Sequence, residues 1–129
     1  MIGFCGGGYQ ALLLATRSKD VRAVVAFYAP PEMSQQFQIP RDPRPNLLNK
    51  VKEIRVPVQG HYGVADPIAS LEVVRKFEQA LKDQGTPTTI YTYEGAIHAF
   101  YDFTRRYYPA EAAARAKERM LVFLKAQIK

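Results

Sequence analysis

The sequence predicts an α/β layer fold with about four mostly parallel strands flanked by helices. Strand-like and helix-like segments alternate along the chain, which implies parallel pairing through right-handed crossovers. The best strand candidates are continuous apolar runs, the mark of strands covered on both faces. The length of 129 residues suits one domain, with 47% apolar residues to supply its core. Residues 1–129 are accordingly read as a single α/β unit.

Met1–Phe4 is short and apolar and reads as the end of a strand. Gly6-Gly7-Gly8 makes the turn into Tyr9–Thr16, a buried helix. Val21–Tyr28 is a β-branched and aromatic run, stopped by Pro30 and Pro31. From there to about Asn49, five prolines mark a long loop with room for one short helical turn. Ile54–Gly60 is the next buried strand, with Pro57 placing a bulge or a strand start inside it. Pro67 suits the first turn of a helix, with Asp66 ahead of it. On that helix Leu71, Val74, Phe77 and Leu81 share one face, and Gly85 supplies its stop. Thr88–Tyr93 is the last strand. Pro109 opens a final helix with Ala113, Ala116, Met120, Phe123 and Gln127 on one stripe.

Composition excludes several classes. With 12% aromatic residues the chain is neither disordered nor coiled coil. No apolar run approaches the ~20 residues of a membrane span, and no secretory leader pattern opens the sequence. One cysteine cannot form an internal disulfide, and with two histidines it falls short of a structural zinc set. A reducing cytoplasm is the expected compartment. The 18 basic against 12 acidic residues give a net charge of +6, but they are scattered rather than clustered. This predicts a solvated basic surface and no nucleic-acid or membrane partner.

Three segments could carry chemistry. Gly3-Phe4-Cys5-Gly6-Gly7 has the G-x-nucleophile-x-G pattern of a strand-to-helix elbow, with Cys at its centre. The sharp turn requires very small residues two before and two after the nucleophile. The helix N-terminus favours a thiolate, and the Gly6 N–H can donate to an oxyanion. A buried cysteine in a glycine-rich turn, or an anion-binding loop, would look the same in isolation. Asp66 follows a predicted strand and is either an acid at a ligand-binding edge or a helix cap. His98 also follows a strand, and is either a proton relay or a packed histidine. His61 competes with it but precedes Asp66 in the same loop, which suits a rim or substrate-facing place. Together, nucleophile, acid and histidine occur in the chain order of the α/β-hydrolases. In that reading Cys5 attacks, His98 relays its proton and Asp66 orients His98.

These pieces resemble the dienelactone hydrolase (carboxymethylenebutenolidase) family of the α/β-hydrolase fold. The matching segments are GFCGGG at 3–8, VVAFYAP at 24–30, IRVPVQGHYGVAD at 54–66, YEGAIHAF at 93–100 and YYPAEAAARAKERMLVFL at 107–124. The resemblance implies a Cys5-Asp66-His98 triad that cleaves lactones or other esters through an acyl-thioester, without metal or cofactor. Phe4, His61, Phe100 and Tyr101 are the expected substrate-lining residues. The chain departs from the family in three ways. Asp102 stands where the best-known members carry a carboxylate-binding arginine four residues after the histidine, with Arg105 and Arg106 nearby. The proline-rich stretch is longer than usual. The chain also begins at the elbow, so it matches the C-terminal portion of the fold.

The N-terminal half would supply the second oxyanion donor, a glutamate and an arginine. Losing one oxyanion donor costs ~10²–10³ in rate. An impaired fragment or interaction module that retains the triad is therefore the rival to an active hydrolase, with a thiol redox sensor a third reading. The uncovered strand edge is expected to pair with another chain, as in a homodimer.

Overall fold

The computed structural model describes residues 1–32 and 44–128. Its sheet has four strands, β1 (Ile2–Phe4), β2 (Val24–Phe27), β3 (Val58–Gly63) and β4 (Thr88–Tyr93), in the order β1-β2-β3-β4, all parallel. Helix α1 (Gly6–Ala15) joins β1 to β2, α2 (Leu71–Asp83) joins β3 to β4, and α3 (Ala110–Gln127) follows β4. A 3-10 segment, Leu47–Glu53, precedes β3. It is the short helical turn expected in the proline-rich connection, of which residues 33–43 lie outside the described part.

Strand β2 is buried along its whole length because its alternating side chains feed two cores. Val24 and Ala26 pack with Leu12, Phe77 and Leu81, on the side of α1 and α2. Val25 and Phe27 pack with Tyr93, Phe100 and Ala116, on the side of α3. The apolar stripe of α2 is as predicted at Val74, Phe77 and Leu81, each worth roughly 1.5–3 kcal/mol of burial. Its C-terminus closes as a Schellman motif at Gly85, φ 82°: Gly85 N–H bonds Lys82 O at 2.9 Å and Thr86 N–H bonds Leu81 O at 3.0 Å.

Several boundaries differ from expectation. Helix α1 begins at Gly6, so the three glycines form its first turn, and β2 covers Val24–Phe27 rather than Val21–Tyr28. Strand β3 starts at Val58 rather than Ile54 and runs through His61 and Tyr62 to Gly63. Pro57 has no N–H to donate, so it enters the ladder only through its carbonyl, which accepts from Val24 N–H at 2.9 Å. Ile54 instead closes the 3-10 segment and is fully buried against it. Helix α2 begins at Leu71, with Ser70 rather than Asp66 at its N-cap, so Pro67 lies in the preceding turn.

Candidate active site at the carboxyl edge of the sheet

All four strands run the same way, so their C-terminal loops share one edge, where ligands bind in open α/β sheets. Cys5 follows β1, Tyr28 follows β2, Asp66 lies three residues past β3 and His98 five past β4. Cys5 holds φ 50°, ψ −120°, a backbone conformation costly for a non-glycine residue. Its N–H extends the ladder to Phe27 O at 2.9 Å, and its carbonyl receives Tyr9 N–H at 3.1 Å. The side chain is thereby held at the head of α1. A Cβ at Gly3 would collide with the Gly7 backbone, and one at Gly8 with Ala29. At Gly7 a Cβ would meet open space. The expected need for small residues therefore holds before Cys5 and is displaced by one residue after it, because Gly8 is the glycine that faces the end of β2.

Cys5 Sγ lies 3.0 Å from His98 Nε2, and His98 Nδ1 lies 2.8 Å from Asp66 Oδ2. With a carboxylate accepting at Nδ1, that nitrogen carries the proton and Nε2 of the neutral ring accepts from the thiol. Asp66 serves both roles open to it in the sequence, one with each oxygen. Oδ1 accepts from Ile68 N–H at 2.7 Å and Ala69 N–H at 3.0 Å, fixing a turn, while Oδ2 faces His98. The Asp66 and His98 loops are also joined to each other. Val64 N–H bonds Tyr93 O at 3.0 Å and Ala65 N–H bonds Ala96 O at 3.1 Å. A side chain at Gly63 would strike the Ala96 carbonyl, so this glycine is needed for the approach.

Around Cys5 the wall is aromatic. Phe4, 41% exposed, stacks on Phe27 at 4.8 Å and on Tyr101 at 5.7 Å. Phe4 is exposed and Tyr101 half-buried. Tyr28 meets the His98 ring edge-on at 5.2 Å. It is 5% exposed, at φ 38°, and its hydroxyl has no hydrogen-bond partner among the described residues. Burial first, then the neighbouring Cys5 and Asp102, push its phenol up to about 12. Gly6 opens α1, where the first N–H groups have no intrahelical partner.

Two expected lining residues are not at the surface. His61 is fully buried within β3, stacked on Phe27 at 4.5 Å. Its Nδ1 lies 2.8 Å from the Tyr93 hydroxyl and its Nε2 2.9 Å from Gln59 Oε1, so both nitrogens are occupied. Its place in β3, rather than in the loop beyond, takes it off the rim. Burial, with Arg119 nearby, lowers its pKa to about 3. Phe100, 2% exposed, packs under the site against Phe27, Tyr28 and Tyr93. Asp102 receives the Thr104 N–H at 2.9 Å and hydroxyl at 2.6 Å, which lowers its pKa. Arg105 sits 3.9 Å from it. For Tyr28 and Gly63 the sequence offers only a faint signal, an aromatic residue closing a buried strand and a glycine where a strand leaves the sheet.

A strand-to-helix elbow, a carboxylate and a histidine at the carboxyl edge of a parallel sheet are the arrangement of an α/β-hydrolase-fold protein. The dienelactone hydrolase family model matches residues 1–128, and the chain belongs to that family. It is 31% identical over 126 residues to a Bradyrhizobium protein named a probable 2-oxo-3-(5-oxofuran-2-ylidene)propanoate lactonase, covering 97% of this chain and 49% of that one. It is 32% identical over 119 residues to a candidate carboxymethylenebutenolidase of Yersinia pestis, covering 92% and 43%. A crystal structure of a candidate dienelactone hydrolase from Klebsiella pneumoniae superposes with TM-score 0.80 at 29% identity, over 94% of this chain and 49% of that one. The chain thus spans about half the length of the curated relatives it matches.

Proposed function

We propose that this chain carries the nucleophilic and proton-relay half of an ester- or lactone-cleaving site. Cys5 attacks the acyl carbon and forms a thioester. His98 takes the thiol proton at Nε2 and delivers it to the leaving oxygen, and Asp66 holds the ring and balances its charge. Water, activated by His98, then hydrolyses the thioester. The Gly6 N–H donates to the oxyanion, while Phe4 and Tyr101 flank the acyl group. The carrying observation is the chain of contacts from Cys5 Sγ to His98 at 3.0 Å and from His98 to Asp66 at 2.8 Å, linking residues far apart in sequence. This chemistry requires a free thiol and so a reducing compartment such as the cytoplasm. Among the described residues no helix is long and apolar enough to cross a membrane.

The test is turnover of p-nitrophenyl acetate, with mass spectrometry of the acid-quenched protein. An acetyl group on Cys5, and loss of turnover in both Cys5→Ala and His98→Ala, are expected. Turnover unchanged in those variants would reject the assignment.

A second proposal concerns assembly. Among the described residues strand β1 is outermost and pairs only with β2, and Met1, Ile2 and Leu14 nearby are more than 40% exposed. We propose that a second copy pairs at this edge. A monomer by sedimentation at all micromolar concentrations would refute it.

A further inference from the structure

Tyr28 stands apart from the contacts described above. Buried polar groups are hydrogen-bonded almost without exception, and each exception calls for a physical reason. The Tyr28 ring is packed by Phe4, Phe27 and Phe100 at 5.7–6.2 Å between centroids, and edge-on by His98. Its hydroxyl nonetheless has no partner among the described residues, in a residue only 5% exposed. The backbone holds this residue at φ 38°, in the left-handed region that a bulky aromatic residue enters only under constraint. Its N–H is tied to His61 O at 2.7 Å, which fixes the bend. Three non-glycine residues among those described have positive φ, Cys5, Tyr28 and Ala99, and all three lie at this edge.

We infer that the Tyr28 hydroxyl is a hydrogen-bond donor to the leaving-group oxygen of the substrate, completing the site on the side of His98. The inference rests on the Cys5 reading given above. In the acylation step the sulfur pair forms the S–C bond and the C–O pair departs with the leaving oxygen. That oxygen takes the proton that His98 Nε2 received from the thiol. Tyr28 gives up no proton. It shares its O–H with the oxygen while negative charge accumulates there, before proton transfer is complete. The side chain suits the task because its phenol stays protonated through the neutral range, held so by burial and by Cys5 and Asp102. Its edge contact with the His98 ring places it beside the group that serves the same oxygen.

The role predicts a dependence on leaving group that a packing role would not produce. Stabilising charge on the leaving oxygen matters most when the alcohol is a poor leaving group. Tyr28→Phe keeps the ring and removes only the oxygen. Wild type and variant are compared on acetate esters of p-nitrophenol, phenol and an alkyl alcohol, with thermal unfolding as the folding control. The expected loss in kcat/KM is below about 3-fold for the nitrophenyl ester, rising to about 10–100-fold for the alkyl ester. The unfolding midpoint should stay near that of wild type. An equal loss across the series, or no loss, overturns the proposal. If Cys5→Ala retains wild-type turnover, or the wild type is inert towards all three esters, the Cys5 reading fails and this proposal with it. A normal Cys5 dependence with a flat Tyr28→Phe series fails this proposal alone.

Discussion

The two histidines sit at opposite extremes of what one side chain can do in this molecule. His61, within β3, belongs to a closed circuit beneath α3. Arg119 Nη1 donates to the Tyr93 hydroxyl at 3.3 Å, Tyr93 donates to His61 Nδ1, His61 Nε2–H donates to Gln59 Oε1, and Gln59 Nε2 returns to Arg119 O at 3.3 Å. The Arg119 guanidinium also covers the Tyr91 ring at 4.1 Å. Every polar atom named in that circuit has a protein partner, and the tautomer is set by its neighbours. His98, in the loop after β4, has one nitrogen on Asp66 and the other on the Cys5 sulfur. The difference is one of closure. A satisfied ring of hydrogen bonds fixes α3 on the sheet, whereas the chain from Asp66 through His98 is open and ends at Cys5, as the proposed proton relay requires.

Substitutions on each side test that contrast. The largest expected effect is Cys5→Ala, which should abolish acylation and turnover, as read by burst kinetics. Asp66→Asn should follow, with a loss of ~10³–10⁴-fold in kcat. Its Oδ1 can still cap Ile68 and Ala69, so the unfolding midpoint should barely change while activity collapses. His61→Ala should reverse that signature. It strands the Tyr93 hydroxyl and Gln59 and opens a cavity, costing roughly 2–4 kcal/mol by urea denaturation.

His61 also carries a pH signature. Its folded pKa of about 3 lies below the ordinary value near 6.5, so the unfolded chain binds the extra proton between the two. The stability it contributes is present above about pH 6.5 and is lost as pH falls towards 3, by up to ~1.4 kcal/mol per unit. In His61→Gln that part of the acid slope should disappear from denaturation curves measured between pH 4 and 6.5. The smallest effect contrasts two glycines of the elbow. Gly7→Ala has room and sits in a helix, and should gain about 0.4–1 kcal/mol. Gly3→Ala should instead disrupt the turn, as read from its melting curve.

Much of this was legible in the sequence for a local reason. The Cys5 elbow shows itself through its glycines, α2 through the spacing of Val74, Phe77 and Leu81, and the sheet through runs such as Val24–Phe27. The start of β3 at Val58 is not legible, because an apolar run from Ile54 looks like a strand whether or not Pro57 can join the ladder. The burial of His61 and Phe100 is not legible either, because position along the chain says nothing about depth.

The amino-acid sequence by itself determined the order of elements and the parallel sheet, since these are written in local spacing, and it singled out Cys5, Asp66 and His98 as candidates. Only the tertiary structure decided which histidine faces Cys5, that Asp66 divides its two oxygens between turn and ring, and that Tyr28 is buried with its hydroxyl unpartnered among the described residues. Those outcomes depend on where four strand ends converge. That is set by the register of β1 through β4 and the packing of α3, a sum of contacts between residues far apart in the chain.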